Sequence, residues 1–309
     1  MACVLAAFRR GFADDWVTDL LVNGPRVLFG AGVGAALGLA GALRLAGGDD
    51  RPLFEGHVLA CSTGAAGGGL VAAQFVSSAS LVAFIFGAAI GAAALNGLIL
   101  LLDRPRRWTN VVLALSLAAM AGIAALAGTY ARERADVIAP IVTWLLGDLA
   151  TATFASGAVM LLLALLLGMR AISGKASESV ELVAMAMAVG AAGPLAFVGT
   201  LAPRTVRWLA RGASDRTLVL TGMAAAAATV AAVDAVPRLL LGGYDFPWNL
   251  PAAMLAIPIF LGWNRGRLRR LAGGAHIAFE IFEVVLIAGM TIGGIALAMV
   301  LVRVIGLAT

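Results

Sequence analysis

An all-α polytopic membrane protein of about ten transmembrane helices is the fold class this sequence predicts, on three observations. Hydrophobic residues make up 61% of the chain and charged residues 13%, with a mean hydropathy of +0.99; a soluble surface needs about twice that charge. Apolar runs near the roughly 20 residues that cross a hydrocarbon core recur between short polar breaks, leaving no room for a sizeable soluble domain. The net charge of +5 is carried almost wholly by arginines in those breaks, which suits membrane orientation rather than nucleic-acid binding.

The segment 1–24 mixes Phe8, Phe12, Trp16, Leu20 and Leu21 with Asp14, Asp15 and Asp19, an amphipathic pattern expected to lie at the membrane interface. Arg9 and Arg10 are not followed by an adequate apolar run, so no cleavable signal peptide is expected. The first clear span runs from Pro25 to Leu45, with Gly30, Gly34 and Gly38 one turn apart and Gly32 and Gly41 beside them. Small residues at that spacing let helix backbones approach closely, which is how packing energy is gained in lipid.

Further spans are expected at about 57–76, 79–102 and 109–130, and another continues from the run Thr143–Leu149 to about Leu167. A short polar segment, Arg170 to Glu181, precedes the apolar run Val180–Ala192. Helices follow at about 216–241, near Leu250–Phe260 and at about 277–305. With Pro25 on the outer side, fifteen of the 22 basic residues fall on inner loops and helix ends, leaving Arg9, Arg10, Arg26, Arg132, Arg134, Arg238 and Arg303 outside. The positive-inside rule favours that orientation over its mirror image.

The stretch Gly193–Leu209, GPLAFVGTLAPRTVRWL, is not demanded by any general rule of membrane helices. It resembles the G-P-I-A-F-V-G-L-x-x-P-x-x-x-R-x-L pattern of the FecCD-type family, the permease subunits of binding-protein-dependent ABC importers for ferric siderophores, haem and cobalamin. Gly193, Pro194, Ala196, Phe197, Val198, Gly199, Pro203, Arg207 and Leu209 stand in register, while Thr200 and Arg204 depart. Arg51–Ala65 is similar to the family's N-P-L-A-x-P-x-x-L-G-V-S-S-G-A turn at Pro52, Leu53, Leu59, Ser62, Gly64 and Ala65, with Arg51 and Gly56 replacing its Asn and second Pro. Trp144, Leu145, Gly147 and Leu149 resemble W-L-x-G-S-L, and Leu250, Pro251, Pro258 and Phe260 resemble the closing L-P-x-G…G-x-P-x-F helix. Family members usually carry a full transmembrane helix where residues 1–24 lack the apolar run for one.

The resemblance implies a cobalamin/iron-siderophore permease-like fold over residues 25–265, followed by a basic inner loop and an additional C-terminal helix in 266–309. It implies a bacterial inner-membrane protein that works with an ATP-binding subunit, a periplasmic substrate-binding protein and a second permease subunit, identical or homologous. By the same resemblance, Arg26 and Arg238 correspond to outer arginines that dock the binding protein, with membrane anchoring as the alternative. Ser62, Thr63 and the helix-end Asp148 would border the translocation path. The coupling helices that meet the ATPase would correspond to Ser173, Gly174, Lys175, Ala176, Ser177, Glu178 and Ser179, a shortened segment that lacks the family's repeated Leu-Gly pair.

Other chemistries fit poorly. Gly168–Ser177 imitates a phosphate loop but has Ser173 where the second Gly is required and Ala176 where a hydroxyl must follow Lys175. Any ATP is therefore bound by another chain, and no cofactor is expected on this one. His276, Glu280 and Glu283 share one helix face, a pattern open to a divalent metal but equally to interfacial polar groups, and no metal site is assigned. Two histidines, His57 and His276, and two cysteines, Cys3 and Cys61, supply no nucleophile–base set, so no enzymatic activity is expected. Asp234 and Arg238, four residues apart, are placed to face each other.

Two functional readings remain: an importer permease driven by a separate ATPase, or a degenerate homologue that partners another permease without coupling to ATP. An ion-coupled carrier is a third; it would need Asp148, Asp234 or Glu283 to be essential.

Overall fold

The structure, a computed structural model, describes residues 16–47, 61–69, 72, 81–102, 144, 147, 149, 152–175, 178–193, 195, 197–210 and 212–240. Its helices are α1 (Trp16–Ala46), α2 (Leu81–Leu102), α3 (Phe154–Arg170), α4 (Glu178–Ala192), α5 (Val198–Leu209) and α6 (Asp215–Leu240), with residues 61–69 also helical. The architecture is an all-α polytopic membrane fold. Among the described residues, Asn23–Ala46, Phe154–Ser173 and Asp215–Ala235 are each long and apolar enough to cross a membrane.

At the centre lies α1, packed against α3, α4, α5 and α6, while α2 packs on α4. Val33, Leu37 and Leu39 are fully buried around it. The boundary expected between residues 24 and 25 falls inside this helix, which starts at Trp16 and runs unbroken through Pro25. One proline removes one hydrogen bond, and packing against neighbouring helices holds the rest of the ladder. The part apolar enough to span begins at Asn23, two residues before the expected start.

Small residues set how the helices meet. Gly30 faces Val230, Gly34 faces Ala226 and Ala227, and Gly38 faces Ala226 and Gly222, so α1 and α6 run antiparallel with a four-residue step on both. A Cβ on Gly34 would lie 2.7 Å from the Ala226 carbonyl oxygen, which only a glycine avoids at this separation. Gly64 and Gly68 of the 61–69 helix meet Gly91 and Gly87 of α2 in the same antiparallel manner.

The span expected from residue 143 begins later. Gly147, at φ +81°, donates its N–H to the Trp144 carbonyl at 3.0 Å and turns the chain. Thr153 then caps α3: its Oγ1 accepts from the Ser156 N–H at 3.1 Å, and its own N–H donates to Ser156 Oγ at 2.9 Å. The face of α3 carrying Gly157, Met160, Ala164 and Gly168 is buried, while Val159, Leu162, Leu165, Leu166 and Met169 are exposed. Such a leucine-rich outer face is at home in hydrocarbon, where water would penalise it.

Candidate functional site

Five of the motif residues explain themselves once α5 is placed. α4 ends at Ala192, and Gly193 follows with a φ of +76° that suits glycine; a Cβ there would also collide with the Trp144 carbonyl oxygen. Trp144 Nε1 donates to the Gly190 carbonyl at 3.2 Å, meeting an acceptor that the helix end leaves without an intrahelical donor. Phe197 then takes a left-handed conformation, φ 69° and ψ −17°, unusual for a bulky side chain, and redirects the chain into α5.

Along α5, Gly199, Pro203 and Arg207 recur every four residues. Pro203 has no N–H to offer the Gly199 carbonyl four residues before it. That carbonyl oxygen stands 1.7 Å from where a Gly41 Cβ would be, so α5 lies against the backbone of α1. One turn on, Arg207 Nη1 donates to the Leu45 carbonyl at 2.8 Å, satisfying an acceptor in the last turn of α1. The opposite side of α5 leaves Trp208 and Leu209 exposed beside Arg207.

Two ion pairs stand near opposite ends of Asn23–Ala46, the part of α1 apolar enough to span. At one end, Arg26 Nη2 lies 3.8 Å from Asp234 Oδ1, with the side chains 10% and 8% exposed. This pair continues the α1–α6 ladder by one more four-residue step beyond Gly30 and Val230. Asp234, expected to face Arg238 on its own helix, has Arg26 as an ion-pair partner across helices; the Arg238 side chain lies outside the described residues. Arg26, assigned by resemblance to docking, has its guanidinium inside the bundle rather than on an open surface. Arg238 belongs to the last turn of α6.

At the other end Arg44 Nε bonds to Glu181 Oε1, joining the last turn of α1 to the first turn of α4, with the side chains 13% and 12% exposed. Sequence reasoning passed over this pair. Its signal was a basic residue in the last turn of one apolar helix and acidic residues in the first turn of another, charges that in lipid call for partners.

The segment assigned to ATPase coupling adjoins that pair. α3 passes straight into a π-helical turn, Ala171–Lys175, in which Ser173 is exposed and its Oγ donates to the Arg170 carbonyl at 2.8 Å. Gly174 and Lys175 complete the turn; Glu178 and Ser179 are exposed at the start of α4. Ser62 and Thr63 are buried, 0% and 6% exposed, at the start of the 61–69 helix. Ala176, Ser177, Asp148, His276, Glu280 and Glu283 lie outside the described residues.

Among the described residues no group of three His, Cys, Asp or Glu side chains is placed to hold a metal. What the arrangement provides is close packing: glycine seams, capped helix ends and ion pairs between helices hold these helices to one another.

The sequence matches the model of the FecCD transport family over residues 4–176 and 179–263, the match dividing inside the 173–179 segment. No curated protein matches it. Among solved structures it is similar to a metal-chelate type ABC transporter in an inward-facing conformation, with 23% identity, a TM-score of 0.66, and 81% of this chain and 88% of that chain covered. That likeness shows the fold.

Proposed function

The chain belongs to the FecCD transport family, and from that membership we propose that it is the transmembrane permease subunit of an ABC importer in the bacterial inner membrane. The cargo class is a metal chelate or corrinoid of the siderophore, haem or cobalamin kind, delivered by a periplasmic binding protein. ATP is hydrolysed on a separate subunit, and a second permease subunit completes the pathway. The observation that carries the reading is the extent of the family match, which reaches through all six named helices and both sides of the 173–179 segment.

In this reading the Arg44 end faces inward and the Asp234 end outward, in line with the excess of arginine on inner loops. Arg238 serves docking of the binding protein, and Arg26 contributes from beneath, through its pairing with Asp234. Ser62, Thr63 and Asp148 border the path. Residues 173–179 meet the ATPase.

The shortness of that segment favours a second reading. Between the end of α3 and the start of α4 the chain has one π-helical turn and two further residues, little surface for an ATPase to push. A degenerate subunit that completes a heterodimer without coupling to ATP would need no more.

One experiment separates them. The chain is expressed with the ATPase, permease and binding-protein genes of its own cluster and purified through its own tag, and ATP hydrolysis is assayed with and without binding protein. A co-purifying ATPase stimulated by the binding protein supports the importer. Co-purification of another permease without the ATPase supports the structural partner. Recovery of neither overturns both.

A further inference from the structure

Two neighbouring helices, α3 and α6, leave a row of exposed apolar residues between them. Gly168 of α3 meets Met223 of α6, where a Cβ would lie 2.8 Å from the methionine sulfur, and α6 also contacts the π-helical turn Ala171–Lys175. α3 runs with α1, since Gly157 meets Phe29 and Gly32 meets Met160, whereas α6 runs against it. At 3.6 residues per turn, Leu165 and Met169 lie about 60° and 100° round α3 from Gly168, and Arg216 and Leu220 about 20° and 60° round α6 from Met223. In antiparallel helices such turns open on the same side, so these four residues border one groove. All four are exposed, Leu165 by 49%, Met169 by 59% and Leu220 by 54%.

Basic residues close the groove at one end. Seven residues on from Gly168 comes Lys175, and seven back from Met223 comes Arg216, so the two positions stand at about one level. That end is the inner one in the orientation favoured by the arginine count. Of the acidic residues there, Asp215 lies about 80° round α6 from Met223 in the opposite sense, and Glu178 opens α4. Leu165, Met169 and Leu220 fall within the lengths apolar enough to span, Phe154–Ser173 and Asp215–Ala235, so hydrocarbon reaches the groove. An apolar groove that ends in cations at headgroup level complements a phosphate with acyl chains attached, and a guanidinium matches phosphate with paired N–H donors.

We propose that the groove between α3 and α6 holds an anionic phospholipid of the inner leaflet, its phosphate drawn to Arg216 and Lys175 and an acyl chain lying along Leu165, Met169 and Leu220. The inference needs the membrane fold and its orientation, and stands apart from the importer reading.

The test uses the full chain purified in mild detergent without other subunits, with bound lipid counted by native mass spectrometry at fixed ionic strength. Dioleoyl phosphatidylglycerol binds one site more tightly than dioleoyl phosphatidylcholine does. Neither inorganic phosphate nor glycerophosphoglycerol, the headgroup without its chains, displaces it. Arg216→Gln and Lys175→Gln each weaken phosphatidylglycerol about fivefold, and together about thirtyfold, the ordinary worth of basic residues near an anionic headgroup. Arg170→Gln removes an exposed charge about 160° round α3 from Gly168 and leaves the affinity within about twofold. Each single variant stands in for the pair if that fails to fold.

Equal affinity of the native chain for the two lipids overturns the site, as does displacement by phosphate or by the bare headgroup. Equal weakening by Arg170→Gln and Arg216→Gln also overturns it, since the attraction would then belong to the whole basic surface. So does a double variant that binds lipid like the native chain; if that variant also fails to recover the ATPase on co-expression, the two cations serve a subunit contact instead.

Discussion

Arg207 Nη1 donates to the carbonyl oxygen of Leu45 at 2.8 Å, closing the last turn of α1 with a side chain from α5. The bond ends a stripe in which Gly199 and Pro203 set the close approach and Arg207 fixes the register. The G-x-x-x-P-x-x-x-R spacing is therefore a device for seating one helix on another. Arg207→Ala should lower stability by about 1 kcal/mol, the common value for a partly exposed bond. Arg207→Lys should retain part of it, since a lysine keeps the charge without the fork. Thermal unfolding in detergent reads both, and an unshifted Arg207→Ala midpoint would remove the seating argument.

The glycines of α1 and its neighbours are not equivalent. A Cβ on Gly41 would sit 1.7 Å from the Gly199 carbonyl oxygen, whereas one on Gly67, also helical, would meet nothing within 4 Å. Gly41→Ala must push α5 away and should destabilise by about 3 kcal/mol or more. Gly67→Ala relieves backbone entropy and should be neutral or stabilise by up to about 1 kcal/mol. Yield of folded protein after extraction, followed by thermal unfolding, should rank them in that order; equal behaviour would contradict the packing described here.

How much of this was open to reading in the sequence depends on the range of each interaction. Helix limits set by local composition came out close: the span expected at 79–102 is Leu81–Leu102, and that at 216–241 is Asp215–Leu240. The α3 start was misplaced because apolarity alone overlooks a positive-φ glycine and a threonine cap at Gly147 and Thr153. Asp234 was matched to Arg238 because four residues is the neighbour distance along one helix. The Arg26 pairing, which that reasoning does not reach, depends on the antiparallel register of α1 and α6. That register does leave a trace: Gly30, Gly34 and Gly38 on one helix and Gly222, Ala226 and Val230 on the other share a period, and one more step joins Arg26 to Asp234.

That pair yields a prediction that separates structure from docking. Asp234→Asn or Arg26→Met alone should destabilise, by up to about 3–5 kcal/mol, since each removes one half of a largely buried ion pair. Changing both, to Met at 26 and Leu at 234, should recover most of the loss. If Arg26 also serves docking, the double variant will fold yet lose stimulation of the ATPase by the binding protein. Stability by thermal unfolding and stimulation by phosphate release give the two answers independently, and a double variant as unstable as the singles would mean that the pair is not isolated.

The two faces of α3 should fail in different ways when changed. Leu162 is 57% exposed near the middle of the helix, and Ala164, 0% exposed, lies on the buried face with Met160 and Gly168. Leu162→Lys places a charge in hydrocarbon, about 2.5–3.5 kcal/mol unfavourable on insertion scales at a helix centre. The variant should be depleted from the membrane fraction. Ala164→Leu is more hydrophobic, so insertion should be unimpaired, but its added methylenes enter a fully buried position and should lower the unfolding midpoint by the equivalent of about 1–3 kcal/mol. Membrane abundance and thermal unfolding, measured on both variants, should therefore move in opposite patterns. Normal insertion of Leu162→Lys would place that face against protein or water instead of lipid.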